Sequence, residues 1–163
     1  MKTSTMDTTN TVGTTSRVLR EGYGPGAWHG ADLKAALEDV TAEIAFWRPS
    51  PARHNIAEIA LHHAYCARNV RAKLAGTTPE PFVLSGDDWF PVDDHHTLSW
   101  KRVLATVERE QQQLADVVAK VEAGTVNSPV AEDERFDLVL GITSHAIYHA
   151  GQIQLIKRLR SDR

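Results

Sequence analysis

The segment from Asp133 to Arg160 reads DERFDLVLGITSHAIYHAGQIQLIKRLR. Its apolar residues return every three or four positions, which is the spacing of one face of an α-helix. Acidic residues stand at its start and basic residues at its end, and the helix dipole favours both placements. The segment therefore predicts one long helix that turns an apolar face towards the rest of the protein.

Three earlier segments show the same periodicity. Apolar positions from Leu33 to Trp47 predict a first helix that stops before Pro49. Those from Ile56 to Leu74 predict a second helix, which Gly76 would cap, and those from Leu98 to Val121 predict a third. No segment alternates as a strand would, so four amphipathic helices predict an all-α fold of the four-helix-bundle class.

Two segments lack this periodicity. Residues 1–16 are rich in Thr and Ser and nearly devoid of apolar residues, which predicts a disordered N-terminal tail ahead of one domain over residues 17–163. Residues 77–96 carry three prolines and a polar cluster, which predicts a long loop between the second and third helices. Loops of this length are often functional or poorly ordered.

Composition excludes several classes of function. A chain of 163 residues with 42% apolar content suits a single core, and a net charge of −3 with a pI near 6.2 offers no basic surface for nucleic acid or anionic lipid. No apolar run suggests a membrane span or a secretory signal, so we expect a cytoplasmic protein. Because Cys66 is the single cysteine, a metal would depend on nitrogen and oxygen ligands.

The fourth predicted helix carries His145 and His149 on one face. Four residues separate them, which places them about 40° apart around the helix and on its apolar side. Two imidazoles one turn apart can bind one metal ion, but the same pair also occurs as hydrogen-bonded core histidines. The pair alone does not decide between these interpretations.

A third ligand would come from the second helix, which offers His62 and His63. The helical wheel places His63 at the centre of the apolar stripe and His62 about 100° away on a more polar side. Periodicity alone favours His63. A catalytic ion needs a coordination position open to solvent, and this requirement favours His62.

Three stretches resemble the DinB-like family of metal-binding four-helix bundles. They are Trp28–Gly30, His54–His62 and the pattern H-x-x-Y-H-x-G-Q-I from His145 to Ile153. The resemblance covers roughly residues 17–160 and implies one divalent ion, Zn²⁺ or Ni²⁺, on His62, His145 and His149. It also implies a metal-dependent hydrolase or an S-transferase that uses a low-molecular-weight thiol and a small-molecule substrate. A non-catalytic metal-binding or stress-response bundle is the alternative.

The sequence departs from the family at Ala146, where relatives often carry a polar residue that would hydrogen-bond a ligand histidine. Glu58, Tyr148 and Gln152 are candidates for contacts with the ligands or the substrate. Cys66, one turn after His62, is either a fourth ligand or a small buried thiol.

Two other classes of reaction lack their motifs. The chain has no E-x-x-H, which excludes ferritin-like di-iron chemistry, and no H-E-x-x-H, which excludes zincin proteolysis. Ile147 and Leu155 point away from the histidines on the fourth helix, so we expect a homodimer that pairs through a helix face.

Overall fold

The fold is all helical over residues 12–162, which are the residues that the computed structural model describes. Six helices occur in this range: α1 (Thr14–Tyr23), α2 (Leu33–Leu37), α3 (Ala42–Phe46), α4 (Ile56–Ala75), α5 (Trp100–Glu122) and α6 (Glu132–Ser161). The four longer helices form a closed ring in which α1 contacts α5 and α6, and α4 contacts the same two helices. The predicted all-α bundle is confirmed.

The three longest helices follow the periodicity and capping signals of the sequence. The Asn55 side chain accepts a hydrogen bond from the Glu58 amide at the start of α4, and Ser99 does the same for Arg102 at the start of α5. Helix α4 ends at Gly76, whose left-handed φ of 68° suits a C-cap glycine. Local sequence therefore sets the ends of these helices.

The predicted first helix over 33–47 is wrong as a single helix. Helix α2 ends at Leu37, and Asp39 then adopts a positive φ of 59°, which no α-helix accommodates. The Thr41 side chain accepts a hydrogen bond from the Ile44 amide and starts α3 in a new direction. The residues with helical spacing still reach the core, because Leu33, Ala36 and Val40 remain buried on either side of the break.

The bundle position expected for that segment belongs to α1. Its first turn lies inside the segment predicted as a tail, whose residues 1–11 fall outside the described part of the chain. The carboxylate of Glu122, at the end of α5, accepts hydrogen bonds from the amides of Thr15 and Ser16 and from the Ser16 hydroxyl. These bonds satisfy donors that a helix start leaves unpaired, so a distant residue caps α1.

Helix α1 also approaches α6 closely. A β-carbon added at Gly22 would lie 2.9 Å from the Thr143 carbonyl oxygen and 3.0 Å from the Ala146 β-carbon. Glycine at this position therefore lets the two backbones come together. The same closeness explains the small residue at position 146, since a larger side chain there would press on α1.

The predicted loop between α4 and α5 packs against the bundle. Phe90 and Val92 are buried, and the Asn55 side-chain amide donates a hydrogen bond of 2.7 Å to the Val92 carbonyl. The loop therefore covers one end of α4. None of the helices in residues 12–162 combines the length and apolar character that crossing a bilayer requires.

Candidate metal centre

Histidines from α4 and α6 meet where the loop covers the bundle. Helix α4 provides His62, and α6 provides His145 and His149 on consecutive turns. His62 and His149 are buried and His145 is half-buried. The cluster therefore lies at the edge of the core, with one ring still reached by solvent.

The Nε2 atom of His145 lies close to the Nε2 atoms of both other rings. Nε2 of His145 lies 3.0 Å from Nε2 of His62 and 3.0 Å from Nε2 of His149. The rings of His62 and His149 stand nearly perpendicular, with centroids 5.2 Å apart. Two nitrogens bound to one ion at about 2.0–2.1 Å, with an angle between 90° and 110°, would be separated by about 2.9–3.4 Å. The observed separations suit a shared cation.

The second nitrogen of each ring has its own partner. Nδ1 of His62 lies 3.0 Å from both the carbonyl and a carboxylate oxygen of Asp88, and Nδ1 of His149 lies 2.7 Å from Oε1 of Gln152. Since these oxygens accept hydrogen bonds, both Nδ1 atoms carry the proton and both Nε2 atoms carry a lone pair.

These lone pairs cannot all be satisfied by hydrogen bonds within the cluster, but they are well suited to bind a metal ion. A protonated Nε2 on His145 could donate to only one of its two neighbours, and the other contact would bring two lone pairs together. A cation at the shared point removes this conflict. Burial lowers the pKa of His145 to about 4, with a further contribution from the nearby His149, and burial also lowers the pKa of His149. Both rings are therefore neutral near pH 7, as metal ligands must be.

Comparison with known families agrees with this architecture. A sequence model described as the DinB superfamily matches residues 27–153, which run from the turn before α2 into the last third of α6. The chain belongs to the DinB superfamily. No curated protein and no solved structure matches the chain in the parallel searches. The match establishes the family, and the reaction of this DinB-superfamily protein has to be inferred from the residues of its site.

His63 occupies a different place from His62. Its ring is almost fully buried, and its Nδ1 lies 3.4 Å from Nδ1 of His145. Gln111 lies nearby, but Nε2 of His63 has no partner in hydrogen-bonding geometry among the described residues. Burial lowers the pKa of His63 to about 3, so the ring is neutral and can accept the Nδ1 proton of His145. The Nδ1 atom of each of the three histidines then has a partner.

Cys66 is a further side chain near the three histidines that could bind a metal ion. One ligand atom each from His62, Cys66 and His145 lies within 4.8 Å of the others, a set that does not include His149, and the Cys66 sulfur is 4.0 Å from Nε2 of His62. Burial raises the pKa of the thiol to about 11, and the nearby Asp88 carboxylate adds to the effect. Without a cation, the group is a protonated thiol.

Two residues of the loop contact the His62 ring, one at its edge and one on its face. Asp88 holds Nδ1, and the neighbouring Trp89 stacks on the ring with centroids 4.0 Å apart. The opposite face of Trp89 stacks on His54 at 3.7 Å. Asp88 adopts a positive φ of 62°, which is uncommon for a residue other than glycine. Asp88 could not be predicted as a site residue from the sequence, because only the folded loop brings it to α4.

The three candidate contact residues fall into two groups. Gln152 accepts from His149 and donates from Nε2 to the Tyr148 hydroxyl at 3.1 Å, so both are connected to the cluster. Both carboxylate oxygens of Glu58 are instead engaged by Arg48, with His54 and the Val92 amide as further donors. Burial opposes the charged form, but the bonds from Arg48 and His54 hold the pKa of Glu58 below its ordinary value.

The polar residue missing at Ala146 has substitutes elsewhere in the fold. Asp88 comes from the loop, His63 from α4 and Gln152 from α6, and each contacts the Nδ1 atom of one histidine. Hydrogen bonds of this kind orient a ligand ring and fix which nitrogen is available to a metal. The departure from the family pattern therefore does not leave the histidines unsupported.

Proposed function

We propose that this chain is a metal-dependent enzyme in which His62, His145 and His149 hold one divalent ion, Zn²⁺ or Ni²⁺. The reaction would be a hydrolysis or the transfer of a group to a low-molecular-weight thiol. One observation carries the proposal: Nε2 of His145 lies 3.0 Å from Nε2 of both His62 and His149, while the Nδ1 atom of each of the three rings contacts another residue. Purely structural histidines have no need of such an arrangement.

The residues around the cluster suit chemistry at an open coordination position. When bound, a divalent ion held by neutral imidazoles lowers the pKa of a water or thiol ligand and so supplies a nucleophile near neutral pH. Tyr148 is 64% exposed, and its hydroxyl accepts a hydrogen bond from Gln152. That bond does not use the O–H proton, so the hydroxyl can donate it to a substrate that enters beside the histidines.

Metal content tests the first part of the proposal. Protein purified without a His-tag should contain about one divalent ion per chain, and His149→Ala should lose most of it while its circular dichroism stays helical. His95→Ala is the matched control, because His95 is exposed and its ring lies against that of His96, tilted by 39°. Metal-free wild type that also fails to take up added Zn²⁺, Ni²⁺ or Co²⁺ would reject the proposal.

A second function is favoured by the position of Cys66. If its sulfur joined the three nitrogens, the ion would have four protein ligands, as structural zinc sites do, and the protein would be a non-catalytic metal-binding bundle. Cobalt-loaded protein distinguishes the two functions, because a thiolate ligand produces a near-ultraviolet charge-transfer band that Cys66→Ser abolishes. The enzyme proposal expects no such band.

Activity then tests the reaction itself. Metal-loaded protein should act in a screen of small thiols with electrophilic substrates, or in a parallel screen of esters and amides. The activity should disappear in His149→Ala and persist in His95→Ala. Loaded protein that fails on every substrate and shows the thiolate band would support the structural site instead.

A further inference from the structure

One long face of α6 carries apolar side chains that nothing in residues 12–162 covers. Seven large hydrophobic residues are exposed in this range, and five of them belong to α6. We call these five the α6 stripe: Phe136, Leu140, Tyr148, Leu155 and Leu159. Their exposed fractions run from 40% to 64%. Exposed apolar residues concentrated on one helix mark an interaction surface more often than scattered ones do.

The stripe lies on the outside of the bundle. Helix α6 packs on α1, α2 and α4, so its inner face is already occupied. Between the stripe residues stand Ser144, which is exposed, and Gly151, where an added β-carbon would meet no atom within 4 Å. Small residues at the middle of a helix face let another backbone approach closely. The surface is therefore shaped to receive a helix.

The types of residue along the stripe follow a similar order when the stripe is read in either direction. If a second α6 ran antiparallel, with a two-fold axis between Ile147 and Tyr148, each residue would face a complementary one. Phe136 would lie opposite Leu159, and Leu140 opposite Leu155. At the centre, Ser144 would lie opposite Gly151. A two-fold interface requires this self-complementarity, because the same patch must serve both partners.

The charges on α6 follow the same symmetry. Asp137 and Arg158 are both exposed, and the same two-fold axis would place each opposite the other. The first turn of the helix holds three acidic residues and the last turn holds Arg158 and Arg160. An antiparallel pair therefore brings acidic and basic ends together and opposes the two helix dipoles. A parallel pair would bring like charges together.

We propose that the α6 stripe binds the α6 stripe of a second copy of this chain, antiparallel, about the axis between Ile147 and Tyr148. The midline of the stripe lies about 130° around the helix from the midpoint between His145 and His149, so most of the interface faces away from the histidine cluster. Tyr148 belongs to the stripe and also contacts Gln152, which contacts His149. Tyr148 lies on the histidine side of that midline, so the dimer borders its ring without enclosing it. The pairing does not depend on a metal.

Sedimentation velocity of the full chain over a range of concentrations tests the surface. Wild type should sediment as a dimer, both with chelator and after loading with Zn²⁺. Leu140→Glu places two buried charges in each dimer and should weaken association by about a hundredfold or more. Trp28→Glu is the matched control, because Trp28 is 89% exposed but lies outside α6. A wild-type monomer at every concentration, or a dimer that Leu140→Glu leaves intact, would overturn the proposal.

Two further sets of variants test the register. Asp137→Arg and Arg158→Asp should each weaken the dimer, and the double variant should restore it. In a Cys66→Ser background, Ser144→Cys with Gly151→Cys should form a cross-linked dimer on oxidation, and either cysteine alone should not. The two positions are about 10.5 Å apart along one helix, too far for a bridge within a chain. A dimer without charge-swap rescue or cross-linking would reject this register.

A failure here leaves the proposed enzyme untouched. Metal content and activity are measured on the chain itself, and His149→Ala alters a buried residue that is not part of the stripe, although its ring lies 5.3 Å from that of Tyr148. Conversely, loss of the metal in that variant should not change its sedimentation. The two proposals therefore succeed or fail on separate measurements.

Discussion

Asp88→Asn offers the most direct test of how the loop supports the candidate metal centre. The Asp88 carboxylate lies 3.0 Å from Nδ1 of His62, next to the Asp88 carbonyl that accepts the hydrogen bond, and contacts of an N–H with a charged group contribute about 1.5–3 kcal/mol. The Asp88 side chain is 58% exposed, so solvent screening reduces the contribution to the lower end of that range. A loss of about 1.4 kcal/mol corresponds to a tenfold weaker affinity for Zn²⁺.

The substitution is conservative in every other respect. Asparagine tolerates the positive φ of 62°, and the backbone carbonyl at position 88 still accepts from His62. Asp87→Asn is the matched control, because it removes the same charge one residue earlier from a carboxylate that accepts from the Tyr65 hydroxyl. Affinity should be measured by competition with a chromophoric chelator. An unchanged affinity in Asp88→Asn, or an equal loss in Asp87→Asn, would refute the reasoning.

Three further predictions concern stability in the metal-free protein. The unfolded chain protonates His63 near pH 6.5 but the folded chain only near pH 3, so folding loses about 1.4 kcal/mol per pH unit as the pH falls between these values. His63→Leu should therefore flatten the decline of the urea-unfolding free energy from pH 6 to pH 4, and an equally steep decline would contradict this. Glu122→Gln should lower the melting temperature by weakening the α1 cap, whereas Glu38→Gln, at an exposed residue that follows α2, should not. Gly22→Ala should cost about 1–3 kcal/mol because its methyl group meets the Thr143 carbonyl, and Gly141→Ala, in open space, should be neutral or stabilising in chemical denaturation.

Three of the bundle helices were predictable because their signals are local. Helices α4, α5 and α6 each join a 3.6-residue apolar period to a capping residue or a charge at the terminus, and both features act within a few residues. The four-residue spacing of His145 and His149 is equally local, since one helical turn alone places both rings on one face. The fold class and the histidine pair on α6 therefore follow from short-range geometry.

The first part of the bundle was not predictable in this way. Helix α1 is capped by Glu122, which is more than 100 residues away, so the sequence of its first turn resembles a polar tail. The segment over 33–47 has helical spacing, but the chain breaks at Asp39 and still buries the residues on both sides. Periodicity indicates which side chains are buried, whereas the packing of α2 on α6 and of α3 on α4 decides how the backbone places them there.

The surroundings of the histidines likewise depend on tertiary structure. By itself the sequence determined three long amphipathic helices and the residue types from which a nitrogen donor set can be built. The tertiary structure decided that Nε2 of His62 faces the pair on α6, and that Asp88 and His63 contact the outer nitrogens of His62 and His145. The reason is physical: the direction of an imidazole depends on hydrogen bonds from a loop and a neighbouring helix, which come within reach only after the chain has folded.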